Sequence, residues 1–393
     1  MSKVRILAVL TICNALSPLA LQILVPALPS IRSQLGASMA ETQLLLSAFS
    51  IALAVSMLAY GPLADRMDRK RLLVFGMIAF SLGSLLGYSA ATIQILVAAR
   101  ILQAIGAGAA STITRAIAAD TFQGPDLNRA MSAMLMVVVI GPMIAPVLGG
   151  YIVETAKWQN IMMLLCAMGG VLGLTAALIL KPSKSASQQT RTAESYWERF
   201  TEIISNRTFA TNMATLIAVQ IGVYAFISAS PYLIIDLLKY SATQYGFVFM
   251  YLTMGYMSGN FISGMVVKKI GGERLIQMAS LVYLFGAIAF LGFAIAGIQN
   301  LLTIAGPAFL LTFTNGITQP NCGAGALASV ERHKGIAASL SGVGQILAGA
   351  VGFQIMGFFQ ITSAKPLAIV IVACSVVTVV SAKLLSNPAP IDR

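Results

Sequence analysis

The sequence predicts an all-α membrane protein: twelve transmembrane helices in two pseudo-symmetric six-helix bundles. Three observations carry this: composition, the rhythm of apolar runs and an internal repeat. Of the 393 residues, 58% are hydrophobic and 10% charged, a balance that a polytopic membrane chain requires and a soluble domain does not. A spanning helix takes about 20 apolar residues, so brief polar breaks leave room for about a dozen spans and no large soluble domain.

Lys3 and Arg5 precede the first apolar run, 6–28, which is too long for a signal h-region, shows no cleavage site and closes on Pro26-Ala27-Leu28-Pro29. Span 2 covers 43–61 and is followed by Gly61-Pro62-Leu63-Ala64-Asp65-Arg66-Met67-Asp68-Arg69-Lys70-Arg71, the densest charge cluster between two spans. Spans 3 to 6 follow at 72–91, 93–117, 129–152 and 159–180, the fourth carrying Arg100 and Arg115 inside its run. The one long polar break starts at Lys181, and its stretch from Ser195 to Ile204 reads as a short amphipathic helix on the membrane surface. Spans 7 to 12 occupy 209–232, 243–266, 274–297, 299–325, 335–358 and 363–384. The chain thus divides into an N-terminal bundle (1–181), a linker (182–208) and a C-terminal bundle (209–393).

The halves echo each other at an offset of about 203 positions. Gly264 to Arg274, with Lys268 and Lys269, follows span 8 as Gly61 to Arg71 follows span 2, and glycine-rich span 11 matches span 5. Duplication of a six-span unit is the simplest account, and repeated halves around a central cavity are how many secondary transporters are built.

Lys and Arg near span ends are retained in the cytoplasm. With the N-terminus inside, nineteen of the 25 basic residues fall on the cytoplasmic side, four (Arg32, Lys157, Lys239, Lys365) outside, and two, Arg100 and Arg115, within span 4; both termini are expected to be cytoplasmic. The net charge of +12 is spread over many loops, which argues against a nucleic-acid partner and for anionic membrane lipid. Cys13, Cys166, Cys322 and Cys374 lie in apolar runs without ligand-like spacing and read as buried thiols; no metal or cofactor is expected. An enzyme is excluded by inventory: there is no Ser/His/Asp set and no phosphate-binding glycine loop opening a helix.

Nearly the whole chain resembles the major facilitator superfamily, and within it the twelve-span drug:proton antiporters of the bicyclomycin and chloramphenicol resistance type. Gly61, Leu63, Ala64, Asp65, Arg66, Arg69 and Lys70 match that family's loop signature, with Asp68 where a glycine is usual. Arg100, Gln103, Gly106, Gly108 and Ala109 fit its fourth-span pattern, and Gly141-Pro142, Ala145-Pro146 and Leu148-Gly149-Gly150 its fifth-span antiporter motif. The resemblance implies export of small amphiphilic molecules by alternating access, coupled to protons, by a monomer in a bacterial inner membrane; import or uniport of a metabolite or siderophore-like solute is the alternative.

Gly61, Asp65, Arg66, Arg69 and Lys70 are therefore candidates for a conformational gate, with Asp65 pairing or capping beside a Gly-Pro break, although charge retention alone accounts for the cations. Gly141, Pro142, Pro146, Gly149 and Gly150 are candidates for a hinge and seal, against plain close packing of the kind read at Gly169 to Gly173 and Gly255 to Gly259. Arg100 is either functional or snorkels outward; Arg115 is expected to snorkel. Polar side chains in spans expected to line a cavity are Asn14, Gln22, Gln103, Thr112, Gln220, Tyr224, Tyr256, Asn260, Asn315 and Gln319, which could equally be interhelical glue. Tyr232, Tyr240 and Tyr245 read as interface-belt aromatics. All thirteen carboxylates lie in loops or near span ends, and Gln22 stands where this branch commonly has Asp. Asp120 and Asp236 remain as coupling candidates, and a buried arginine without an acid favours neutral or anionic solutes over cations.

Overall fold

The computed structural model describes residues 3–182, 196–330 and 334–385. Residues 183–195 of the linker, the only histidine, His333, and Asp392 lie outside the described residues. The described chain is helical throughout. Its elements are α1 (Lys3–Gln22), α2 (Leu28–Leu35), α3 (Met39–Arg66), α4 (Arg69–Tyr88), α5 (Ile93–Thr121), α6 (Gly124–Thr155), α7 (Gln159–Ile179), α8 (Tyr196–Ser205), α9 (Arg207–Pro231), α10 (Ala242–Ile270), α11 (Gly272–Ile295), α12 (Leu301–Ala328), α13 (Lys334–Gly357) and α14 (Lys365–Leu385).

Eleven spans are long and apolar enough to cross a bilayer, counting α1 with α2 as one. The twelfth long helix, α10, has the length but is diluted by tyrosine, glycine, serine and asparagine. Side chains supply the backbone acceptors that helix starts lack: Ser38 and Glu41 form a capping box on α3, and Thr92, Asn206 and Asn300 cap α5, α9 and α12.

Two expectations about span 1 and span 2 are corrected. Span 1 is not one helix: α1 stops at Gln22, a single 3-10 turn covers Val25–Ala27, and α2 restarts at Leu28, because Pro26 and Pro29 each lack a backbone donor. Conversely, no break occurs at Gly61-Pro62; α3 runs through both to Arg66.

The chain divides into two compact units, Met1–Thr190 with Ser241–Phe249, and Arg191–Tyr240 with Met250–Arg393. Within each, the same helix pairs recur. In the first, α4 packs on α5 and α7, and α1 on α5 and α6; in the second, α11 packs on α12 and α14, and α9 on α12 and α13. This is the duplication expected from the 203-residue offset, expressed as contacts.

Without water between helices, close packing has to come from small residues. A Cβ on Gly83 would sit 2.6 Å from the Gln103 nitrogen and 2.9 Å from the Ala99 carbonyl oxygen, and one on Gly255 3.0 Å from the Phe309 carbonyl oxygen. The pairs Gly169 to Gly173 and Gly255 to Gly259 are packing positions, as read from sequence, against α4 and α12 respectively. Cys13, Cys322 and Cys374 are buried and Cys166 partly so, all unpaired. Tyr232 and Tyr245 are buried in helix packing and are not belt residues; Tyr240 is half-buried.

Backbone approach rather than side-chain chemistry therefore sets tolerance. Gly83→Ala should lower the thermal stability of the detergent-purified protein by about 1–3 kcal/mol through overpacking, while Gly292→Ala, which has open space for its Cβ, should leave the melting temperature unchanged or raise it. Equal effects of the two substitutions in a thermal denaturation series would contradict this packing.

Candidate functional site

The charged signature after span 2 is almost wholly helical. Only Met67 and Asp68 lie between α3 and α4, and Asp68 accepts the Arg71 backbone N–H at 2.8 Å, capping α4. The residue that departs from the family pattern thus does the capping that the sequence assigned to Asp65. Asp65 and Arg66 are exposed on the last turn of α3, Gly61 and Lys70 are half-buried, and Asp65 makes no hydrogen bond or ion pair among the described residues.

Arg69 is the buried member of the group. Its guanidinium donates to the Ala64 carbonyl at 3.4 Å and the Ala116 carbonyl at 3.2 Å, and forms an ion pair with Asp120 at the end of α5. Asp120 therefore joins the charged residues of this signature, tying α4 to α5 at the same end. The second unit does not repeat this arrangement. There Gly271, at φ +87°, makes the turn from α10 to α11 that only glycine adopts without strain, and Gly272 stands 203 positions after Arg69.

Deep in the first unit, Arg100 has no exposed surface, which rules out snorkelling. Its Nε donates to the Leu45 carbonyl at 3.2 Å and its Nη1 to the Ala20 carbonyl at 3.1 Å and to the Gln103 Oε1; the guanidinium lies 4.1 Å from the Phe49 ring centroid. Gln103 donates onward to Ser84 at 2.7 Å. The charge is thus met by carbonyl dipoles and a π face, and one buried donor, Nη2, has no partner. Beside the α1 break, the Gln22 Oε1 is likewise buried and unpartnered; Asn14 donates to the Met134 carbonyl at 3.4 Å and leaves its own oxygen unpartnered. Arg115 and Thr112 are half-buried or exposed along the same helix, away from this cluster.

The fifth-span motif closes on two neighbours. Helix α6 runs unbroken through Pro142 and Pro146. A Cβ on Gly149 would collide with the Ile23 carbonyl at the α1 break, and one on Gly150 with the Ala242 carbonyl at the start of α10; reciprocally, a Cβ on Gly246 would lie 2.5 Å from the Val147 Cα and 2.8 Å from the Pro146 carbonyl oxygen. One turn further, Glu154 accepts from the Thr243 N–H at 2.9 Å and hydroxyl at 2.5 Å. Gly141 has only ordinary contact, 3.9 Å to the Ala15 carbonyl oxygen.

In the second unit, polar side chains link three helices. Tyr256 on α10 donates to Gln319 on α12 at 2.9 Å, Gln319 to Gln345 on α13 at 2.7 Å, and Gln345 to the Ser341 carbonyl at 3.2 Å. Tyr224 on α9 packs edge-on against Phe353, 5.0 Å between ring centroids, with Gly349 under its ring. Gln220 and Asn315 are buried with unpartnered oxygens, Asn260 is exposed, and Asp236 is exposed in the short π-helical turn Tyr232–Leu237 after α9. Sequence reading missed Gln345, Ser84, Phe49 and Glu154. Gln345 carried the same signal as Gln319, an amide within an apolar run.

The described helices thus bury uncharged polar groups and a guanidinium without a carboxylate partner inside an apolar bundle. The Major Facilitator Superfamily model matches residues 10–353, and the chain belongs to that family. Similar curated proteins include Multidrug resistance protein MdtL of Vibrio parahaemolyticus, 28% identical over 95% of this chain and 93% of that one, and MdtL of Shewanella oneidensis, 26% identical over 90% and 88%. The uncharacterized MFS-type transporter YdgK of Bacillus subtilis is 26% identical over 92% and 90%. Among solved structures, a bacterial homolog of the human lysosomal transporter Spinster superposes with a TM-score of 0.78 at 16% identity over 99% of this chain and all of that one, and the D-xylose–proton symporter with 0.77 at 13% identity over 99% and 98%. Both show the fold.

Two contrasts test the site. Asp120→Asn should reduce transport at least about tenfold, an effect of about 1.4 kcal/mol, and the exchange Arg69→Asp with Asp120→Arg should restore part of it; no recovery would mean that the pair does not act as a unit. Gly150→Ala should impair transport far more than Gly141→Ala at equal membrane expression, and the reverse order would refute the seal geometry.

Proposed function

We propose that this transporter exports small neutral or anionic amphiphiles by alternating access, coupled to protons, as a monomer of a bacterial inner membrane with both termini in the cytoplasm. The observation that carries the reading is the Gly149-Gly150 face of α6, pressed against the α1 break on one side and the first turns of α10 on the other. A face that tolerates no side chain is suited to a seal that must re-form in every cycle. The relatives named for multidrug resistance support export.

Substrate charge follows from Arg100. Cationic amphiphiles want a buried carboxylate, and the guanidinium here presents an unpartnered donor instead. The polar residues of the second unit, Gln220, Tyr224, Tyr256, Asn315, Gln319 and Gln345, offer neutral donors and acceptors suited to hydroxyl and amide groups. In the gate, Asp65 is positioned to gain a partner in another conformation, because it lacks one here.

A second reading, uniport or import of a small organic solute, is favoured by one observation: Arg100 has carbonyls and Gln103, and no carboxylate, among its contacts. Proton coupling then falls to Asp120 or Asp236 or is absent.

Expression in an efflux-deficient bacterium should raise tolerance to at least one neutral amphiphile such as chloramphenicol, and Asp65→Asn should abolish the gain while the protein stays in the membrane. Unchanged sensitivity across a broad panel would overturn export. In inside-out vesicles, adding substrate should release lumenal protons; transport that persists unchanged without a pH gradient would favour uniport.

A further inference from the structure

An apolar groove of about 330 Å³ opens along one side of the second unit, where the surface helix α8 meets α9 and α13. Phe200 and Ile204 of α8, Phe209 and Met213 of α9, and Leu340 and Gly344 of α13 line it, and no polar side chain does. Helix α8 is split along its length: Ile203 turns into the bundle with 1% of its surface exposed, while its neighbour Ile204 is 47% exposed and faces the groove. The floor is kept open by glycine. A Cβ on Gly344 would meet the end of Met213 at 3.0 Å and of Ile217 at 3.9 Å, so any larger side chain there projects into the groove.

Two described cations stand at the starts of the helices that line it. Arg207 opens α9, two residues before Phe209, and Lys334 opens α13, six residues before Leu340; both are exposed. Asn206 fixes this end by donating to the Ser329 carbonyl at the end of α12, at 2.9 Å. Glu202 of α8 is the single described carboxylate on this stretch, and the starts of two helices add positive potential to the two cations.

We propose that this groove seats an acyl chain of an anionic glycerophospholipid whose phosphate lies against Arg207 and Lys334. Bilayer tails are as apolar as the groove, so seating the chain does not by itself favour binding over the surrounding lipid. The preference comes from the head group, attracted by cations at the membrane surface, and the groove fixes where that head group stands. The site would couple the junction of α8 and α9, and so the end of the linker, to leaflet charge.

The test uses the full-length protein, delipidated in detergent and titrated with palmitoyl-oleoyl phosphatidylglycerol or phosphatidylcholine, with lipid adducts counted by native mass spectrometry. It needs no transport and so stands apart from the export proposal. Phosphatidylglycerol should be retained about tenfold better than phosphatidylcholine. Arg207→Gln combined with Lys334→Gln should remove that preference, and Gly344→Leu, which fills the groove, should lower retention of phosphatidylglycerol about tenfold. Should Gly344→Leu lower the melting temperature, Leu340→Asn on the groove lip replaces it and should have the same effect. Equal retention of the two lipids, or retention untouched by both groove variants, overturns the proposal. So does a result in which those variants abolish binding of a fluorescent amphiphilic dye while leaving phosphatidylglycerol bound, since the groove would then serve an exported solute.

Discussion

A full positive charge with no carboxylate beside it sits inside the first bundle, and the bundle is built to tolerate it. Moving a guanidinium into hydrocarbon costs at least a few kcal/mol unless its donors are met. Here two backbone carbonyls and a glutamine meet Nε and Nη1, an aromatic face lies against the guanidinium, and Nη2 alone is left without an acceptor. A carbonyl inside a regular helix is already engaged, so Arg100 draws on Ala20, close to where α1 ends at Gln22, and on a second lone pair at Leu45. The proline-driven end of α1, the placement of α3 and the Gln103–Ser84 contact with α4 are thereby linked to one side chain on α5.

That arrangement constrains the chemistry of the rest. Arg100 meets carbonyls and an amide, with no carboxylate among its contacts. The described acids stand at the ends of the helices: Asp120 against Arg69, Glu154 at the end of α6 against Thr243, Asp65 exposed at the end of α3. Apart from Arg100, the buried polar links of the interior are neutral, as in Tyr256 to Gln319 to Gln345.

The fold was legible because its signals are summed over long segments. Twenty apolar residues leave no alternative to a spanning helix, and a repeat at 203 residues survives local divergence. What failed was local. Gly61-Pro62 reads as a break, yet a proline near the end of a long helix removes a single ladder bond and packing carries the helix onward. Tyr232 and Tyr245 read as belt residues from their place near span ends, but burial is decided by neighbouring helices that one sequence does not reveal. Asp65 and Asp68 are the clearest case: both are carboxylates in the right loop, and only the register of α3 against α4 selects Asp68 as the cap. Partners 51 or 55 residues apart, Asp120 for Arg69 and Leu45 for Arg100, follow from helix packing and from no spacing rule.

The two halves also show where duplication was abandoned. Corresponding helix pairs pack alike, so the scaffold kept its symmetry, but Arg69 has a glycine at its counterpart and the turn beside it relies on Gly271 instead of an aspartate cap. A cap and an ion pair fix one geometry by specific bonds; a left-handed glycine permits a turn without fixing what surrounds it. The first half therefore ties its α4–α5 end by an ion pair, while the described residues at the matching end of the second are joined by neutral hydrogen bonds, Asn206 to the Ser329 carbonyl and Asn321 to Ser263.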